Sequence, residues 1–211
     1  LKNTLDENYI KQRTLSSRFA SLNALQQAAL GQSNEIVQQW LENNALKDKP
    51  RVLNTLTVDS GWEQAVETVL GNYLEAVCVD DISQAINTLS DLSEGALLFL
   101  EKTAPSADAN RADFLSSKIK SDWPVANLLA NVKVANDLSQ AMQMRSSLSA
   151  NESIITKEGI WLSKDWLRVA KAAQSEVSTI ERKNEIDNIA RELNQLTETI
   201  EKQDADLMRL K

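Results

Sequence analysis

The last quarter of the chain carries the strictest pattern in the sequence. Ile186, Ile189, Leu193, Leu196, Ile200, Gln203, Leu207 and Leu210 follow one another at intervals of 3, 4, 3, 4, 3, 4 and 3 residues. That alternation keeps the side chains on one narrow stripe of an α-helix, and a stripe so narrow is a coiled-coil seam rather than the broad face of a helix sunk in a globular core. Gln203 is its one polar member, and no Gly or Pro occurs after Gly159 to interrupt it. A seam needs a partner. Leu1, Leu5, Asn8, Gln12, Leu15, Phe19, Leu22, Gln26 and Ala29 repeat the 4–3 spacing at the other end of the chain, with three polar entries. Residues 1–30 hold four basic and two acidic side chains, whereas residues 176–211 hold six basic and nine acidic ones. Opposite charge favours pairing of these two arms over other partners, and if they pair within one chain they run antiparallel. The arms are taken as 1–32 and 176–211, and an arm of about 30 residues is roughly 45 Å long at about 1.5 Å per residue.

Between the arms the composition excludes much. Five Gly and three Pro in 211 residues are too few turn formers for a sandwich or barrel, while 42% apolar residues suffice for a core. The centre reads as alternating helices and strands, an α/β or mixed α+β region in two parts, 33–110 and 111–175. A helix is expected from Ile36 to Asn43 and a strand over Arg51–Val58. Ser60 and Glu63 have the spacing of a capping box for a helix ending at Gly71. Leu74–Val79 reads as a buried strand, the stretch after Asp81 or Ser83 as a helix to Leu92, and Ala96–Leu100 as a second buried strand. Ala104–Asn110 is the most loop-like stretch, Ala112–Lys120 reads as a short helix, and another is expected from Val125. An internal echo supports two related parts. Asp81-Ile82-Ser83-Gln84-Ala85-Ile86 matches Asp137-Leu138-Ser139-Gln140-Ala141-Met142 at an offset of 56. Each follows one short strand signal and precedes another, at Ala96–Leu100 and Glu152–Thr156, so two strand–helix–strand units are expected.

Catalytic chemistry is hard to place on this chain. There is no histidine, which removes His-based triads and His-ligated metals. The single cysteine, Cys78, alternates within an apolar run and reads as core. No glycine-rich phosphate loop occurs, because the five glycines are isolated. Asp80-Asp81 has the form of a Mg²⁺ pair at a strand end, but a helix N-cap explains it more simply. No cofactor, no metal and no enzymatic activity are expected of the segment. Its net charge of −7 argues against a globally basic nucleic-acid binder, no apolar run is long enough for a membrane span, and a cytoplasmic protein is expected.

Two surface-forming groups remain. Trp161 and Trp166 lie with Ile160, Leu162, Leu167 and Val169 in eleven residues, a composition suited equally to a core and to a protein–protein hot spot. Lys157, Lys164, Arg168, Lys171, Arg182 and Lys183 form a basic series in the same region, interspersed with acids.

The layout of arm, two-part centre and arm, together with Gly61-Trp62-Glu63-Gln64-Ala65-Val66-Glu67, Leu70-Gly71 and Leu74-Glu75-Ala76-Val77-Cys78-Val79-Asp80, resembles the hinge of bacterial structural-maintenance-of-chromosomes (Smc) proteins. Gly159-Ile160-Trp161-Leu162 with Trp166-Leu167-Arg168-Val169 is similar to the second half of proteobacterial Smc hinges. The resemblance implies a homodimerisation hinge closing an antiparallel intramolecular coiled coil, in a chromosome condensation and segregation ATPase whose heads lie outside this segment. It also implies contact between the first subdomain of one chain and the second of its partner, and a weak, sequence-independent contact with DNA at the nucleoid. On that basis the expected dimer interface is Trp161, Leu162, Trp166, Leu167 and Val169 with Leu97, Leu98, Phe99 and Leu100. The expected DNA contacts are Lys164, Arg168, Lys171, Arg182 and Lys183. One departure stands out: many Smc hinges carry paired glycines late in the second subdomain, and residues 165–175 contain none. The rival expectation is a coiled-coil scaffold whose centre recognises another protein.

Overall fold

A computed structural model describes residues 2–29, 34–104, 111–169 and 178–209. In chain order the first elements are α1 (Lys2–Ala29), α2 (Glu35–Asn43), α3 (Val52–Thr55), β1 (Thr57–Val58), α4 (Glu63–Leu70), β2 (Val77–Val79), α5 (Ser83–Ile86) and β3 (Phe99–Glu101). They are followed by β4 (Ile119–Lys120), α6 (Val125–Leu129), β5 (Val132–Ala135), α7 (Leu138–Met144), β6 (Ser153–Thr156), β7 (Ile160–Leu162), β8 (Leu167–Val169) and α8 (Thr179–Arg209). The result is a mixed α+β chain in two compact units, one formed by residues 1–29 with 181–211 and the other by residues 30–180.

In the first unit α1 and α8 run antiparallel, since partners on α8 fall in number as those on α1 rise. Asn8 Nδ2 donates to Gln203 Oε1 (3.0 Å), Gln12 Nε2 to Thr197 Oγ1 (2.9 Å), and Arg182 Nη1 to Gln26 Oε1 (3.2 Å). Polar seam positions are thereby matched with polar partners, which holds the register as well as satisfying the groups. Leu5, Leu196 and Ile200 form the apolar cluster, with Leu15 and Leu207 against it. Ile189 is buried too, and Ile186 and Leu193 are half-buried, while Leu210 lies outside the described residues. The opposite charge of the arms is used in Lys11–Glu192 (2.6 Å) and in Arg18–Glu185.

The second unit contains two parallel strand–helix–strand crossovers. β2 pairs with β3 (Val77↔Phe99, Cys78↔Leu100, Val79↔Glu101) across α5, and β5 pairs with β6 (Val132↔Ser153 to Ala135↔Thr156) across α7. The echoed hexapeptide forms the start of both crossover helices. The second crossover continues through antiparallel β7 and β8, giving the order β5-β6-β7-β8. Its parts are knit together across residue 110. β1 pairs with β4 from the later half, and one core joins Val52, Leu53, Val66 and Leu74 to Leu115, Leu129 and Ile155.

Several local expectations are corrected. Residues 52–55 form helix α3, and only Thr57–Val58 of the expected strand is a strand: Val52, Leu53 and Leu56 are all buried (0%, 1% and 2% exposed), and a strand would send neighbours 52 and 53 to opposite faces. Helix α4 has Trp62 as its N-cap with no side-chain cap bond. Glu63 instead reaches back to the Gly61 N–H (2.7 Å), so the capping box is absent. Leu74–Val79 is a strand only from Val77, after a 3-10 turn at Gly71–Glu75. The helix expected to run to Leu92 ends at Ile86, where the carbonyl of Thr88 is taken by the Trp40 indole N–H (3.1 Å). β3 begins at Phe99 and is half-buried rather than buried. Ala112–Lys120 is a 3-10 turn at Leu115–Lys118 leading into β4, because Phe114, Leu115 and Ser116 are buried in succession, a pattern no amphipathic helix gives.

Candidate functional site

Among the described residues β3 pairs only with β2, and β8 only with β7. Each therefore leaves one edge of N–H and C=O groups without a strand beside it, the feature through which sheets add further strands. The two edges differ in what they display. Leu98, beside β3, is 37% exposed. Leu97 and Phe99 pack on the small core around Trp40, with the Phe99 and Trp40 rings 6.3 Å apart, and Leu100 packs on the larger core. β8 is exposed throughout: Leu167 is 62% and Val169 49% accessible, next to Trp166 at 42%.

The hairpin bearing β8 is closed by Ser163 N–H to the Trp166 carbonyl (2.9 Å), leaving Lys164-Asp165 as a two-residue loop. Trp161 lies opposite Arg168 in the β7–β8 register. Its ring meets Trp166 edge-on at 5.2 Å, has the Arg168 guanidinium at 5.9 Å, and its indole N–H donates to Ser153 Oγ (2.9 Å). Trp161 is thus half-buried and committed to its own domain. Leu162 must leave the candidate surface: at 2% exposure it belongs to the core with Ala135, Ala141, Leu148 and Ile154.

The basic series is dispersed. Lys164 is exposed on the hairpin loop. Arg168 Nη1 donates to the Thr68 carbonyl on α4 (3.3 Å). Arg182 bonds to Gln26 and Lys183 to Asp187 (2.8 Å), both within the helical arms, and Lys171 lies outside the described residues. The structure assembles a different set. Arg111 and Lys133 stand over the Phe114 ring (4.3 and 5.8 Å), and Lys118 and Lys157 over Trp62 (5.8 and 5.4 Å). Lys118 and Lys133 also line a cleft of about 350 Å³ with Asn136 and Gln140. These cations are separated by up to 46 positions in the chain, so no local spacing advertises the group. Lys133 is paired with Glu152 (3.0 Å), whose carboxyl is held below the ordinary range by the Ser149 N–H and then by Lys133.

The residues with catalytic potential have structural occupations. Burial pushes the Cys78 thiol up to about 11, so it carries no thiolate near neutrality. Asp80 pairs with Lys49 (3.2 Å), and Asp81 accepts from the Ser83 N–H (2.7 Å), which lowers its pKa. No helix among the described residues is long and apolar enough to cross a membrane.

Residues 46–145, from the turn before α3 to the end of α7, match the family model of the SMC proteins flexible hinge domain. The chromosome partition protein Smc of Coxiella burnetii is 47% identical over 153 residues, covering 72% of this chain and 13% of that protein. The chain belongs to the Smc hinge family. The Smc protein of Xanthomonas oryzae is 33% identical over 157 residues, covering 74% of this chain and 13% of the relative. The chain therefore spans about an eighth of the length of these curated relatives. The fold is that of the Smc hinge of Geobacillus stearothermophilus, solved as an asymmetric dimer, with a TM-score of 0.61, 21% identity, and 97% and 94% of the two chains covered. In this Smc hinge the span matched by the family model contains β3 but ends before β6, so the β8 edge lies beyond that model, whereas the alignments with the Coxiella and Xanthomonas relatives are longer than that span.

Proposed function

We propose that this hinge is a homodimerisation module of an Smc-type chromosome condensation and segregation ATPase, in which the β3 edge of one copy meets the β8 edge of another. The observation that carries the reading is that the outer edges of β3 and β8, one from each strand–helix–strand unit, have no strand beside them among the described residues. The apolar side chains Leu98, Trp166, Leu167 and Val169 exposed beside those edges add area to be buried. Mutual use of two different edges gives a two-fold closed dimer with both contacts satisfied. The Geobacillus relative, solved as an asymmetric dimer, agrees with self-association. Without paired glycines in residues 165–175, contact there relies on side chains. The ATPase heads belong to the remainder of an Smc chain, and the hinge joins two coiled-coil arms mechanically, in the cytoplasm at the nucleoid. Contact with DNA is weak and sequence-independent, through phosphates reached by the exposed Lys164 and by Lys171, and it falls with rising salt.

Solution mass across a concentration series tests the dimer. The wild-type chain is expected to dimerise, and Leu167→Lys with Val169→Lys is expected to be monomeric at the same concentration with an unchanged melting temperature. A wild-type monomer at every concentration sinks the proposal, as does a double variant that dimerises normally.

A further inference from the structure

A two-residue hairpin with one outer strand and an exposed apolar face has little of its own to hold it in place. Leu167 and Val169 project where they bury little area, and β8 is only three residues long. Yet an edge strand adds a partner well only if it is ordered beforehand, because ordering it on contact subtracts from affinity. Two arginines meet that need from opposite ends of the hairpin. At the loop, Arg145 at the end of α7 donates Nε to the Ser163 carbonyl (3.1 Å) and Nη2 to the Lys164 carbonyl. The two acceptors are consecutive carbonyls at the loop, and a planar guanidinium can engage them together. On the strand, Arg168 reaches from β8 across the Trp161 ring to the Thr68 carbonyl on α4, which is 100 positions away in sequence.

α4 is itself tied to the same sheet. Gly159, in the β6–β7 turn with φ +81°, sits so close to α4 that a Cβ there would lie 2.8 Å from Thr68 Oγ1 and 3.2 Å from Gln64 Cγ. Thr68 in turn is 5% exposed. The Arg168 contact therefore ends on a rigid element rather than on a loop.

We propose that Arg168 and Arg145 are positioning residues that fix the β8 edge and its Leu167–Val169 face in a form ready to receive a second copy of this chain. The inference rests on the dimer reading above. It assigns the Arg168 guanidinium to a hydrogen bond within its own chain, not to DNA phosphate. Arg is required in both places because a lysine supplies neither a planar face for Trp161 nor a two-pronged donor for the loop.

The test uses the full chain with Arg168→Gln, Arg168→Lys and Arg145→Met. Amide hydrogen exchange at residues 167–169 is expected to rise about tenfold in each, with β6 amides and melting temperature little changed, as loss of a charged hydrogen bond predicts. Self-association is expected to weaken about tenfold in parallel, with Arg168→Lys failing to restore it. Unchanged exchange at 167–169 overturns the proposal. So does a result in which only oligonucleotide binding falls and Arg168→Lys restores it, which is the behaviour of a phosphate contact. A wild-type chain that never dimerises sinks the dimer reading alone, and the exchange measurement still decides what the arginines do.

Discussion

The two strand–helix–strand units begin from nearly the same six residues and reach different ends. In both, an Asp opens the crossover: Asp81 Oδ1 accepts from the Ser83 N–H (2.7 Å), and Asp137 Oδ1 from the Gln140 N–H (2.8 Å). In both, the equivalent side chains Ile86 and Met142 stay on the surface, at 58% and 52% exposure. Past the helix they diverge. The first unit stops at β3, a half-buried strand paired with β2 alone among the described residues. The second turns at Gly159 and lays down β7 and β8, so β6 becomes interior and its four residues are all buried. A repeated supersecondary unit thus fixes a parallel pair but not what becomes of its edge. One unit keeps its original outer edge, and the other moves that edge outward by two strands.

The sharpest test of that difference is the turn that produces it. Gly159→Ala puts a Cβ against Thr68 Oγ1 at a positive φ, whereas Gly61, at φ +84°, has nothing within 4 Å of its Cβ site. Both substitutions incur backbone strain, on the order of 1–3 kcal/mol, and Gly159→Ala adds the clash. Urea unfolding is expected to show Gly159→Ala as the more destabilised of the two. Equal losses would mean that α4 yields freely and that the second sheet is not anchored on it.

A smaller effect separates the two Asp caps. Asp137 spans three residues at the start of a seven-residue helix with N-cap geometry, whereas Asp81 closes a two-residue turn before a four-residue helix. Asp137→Ala is expected to cost about 1 kcal/mol in unfolding free energy, and Asp81→Ala less. The reverse order would mean that N-cap geometry is not what sets the two Asp side chains apart.

The smallest effect is one of pH. Glu152 stands just before β6, where the first unit has Ala96 at the equivalent offset. Its folded-state pKa lies below the ordinary carboxylate value because of the Ser149 N–H and Lys133. The charged form therefore adds stability that is complete above the unfolded-state pKa and is lost as pH falls through the folded one. Glu152→Gln is expected to flatten the stability profile in that acid window and to leave its slope above about pH 6 unchanged. A profile identical to wild type would remove Glu152 from the account of this sheet.

How much of the molecule is legible in the sequence depends on the range of the interactions. Seam positions on the arms follow from a 3–4 spacing that is local to each helix, and the stripe of Leu5, Leu15, Leu196, Ile200 and Leu207 lies inside. The two parallel crossovers are legible from strand signals flanking an echoed helix start. The strands β7 and β8 are not, since Trp161, Leu162, Trp166 and Leu167 offer the same apolar content to a core as to a surface. Nor is the cationic group around Phe114 and Trp62, whose members come from four separate segments. The basic series that spacing does pick out is divided, with Arg182 and Lys183 held in the helical arms.

The sequence by itself determined the periodicities: a heptad that must be buried along one helical stripe, a repeated βαβ start, and a chemistry without histidine or phosphate loop. Those are properties of residues a few positions apart, where backbone geometry alone decides which side chains share a face. The tertiary structure decided which edges stay open, that Leu162 is interior while Leu167 and Val169 are not, and that Arg168 ends on a carbonyl 100 residues away. Such outcomes depend on how sheets and helices from distant segments pack, and identical local patterns are compatible with either side of a strand facing out.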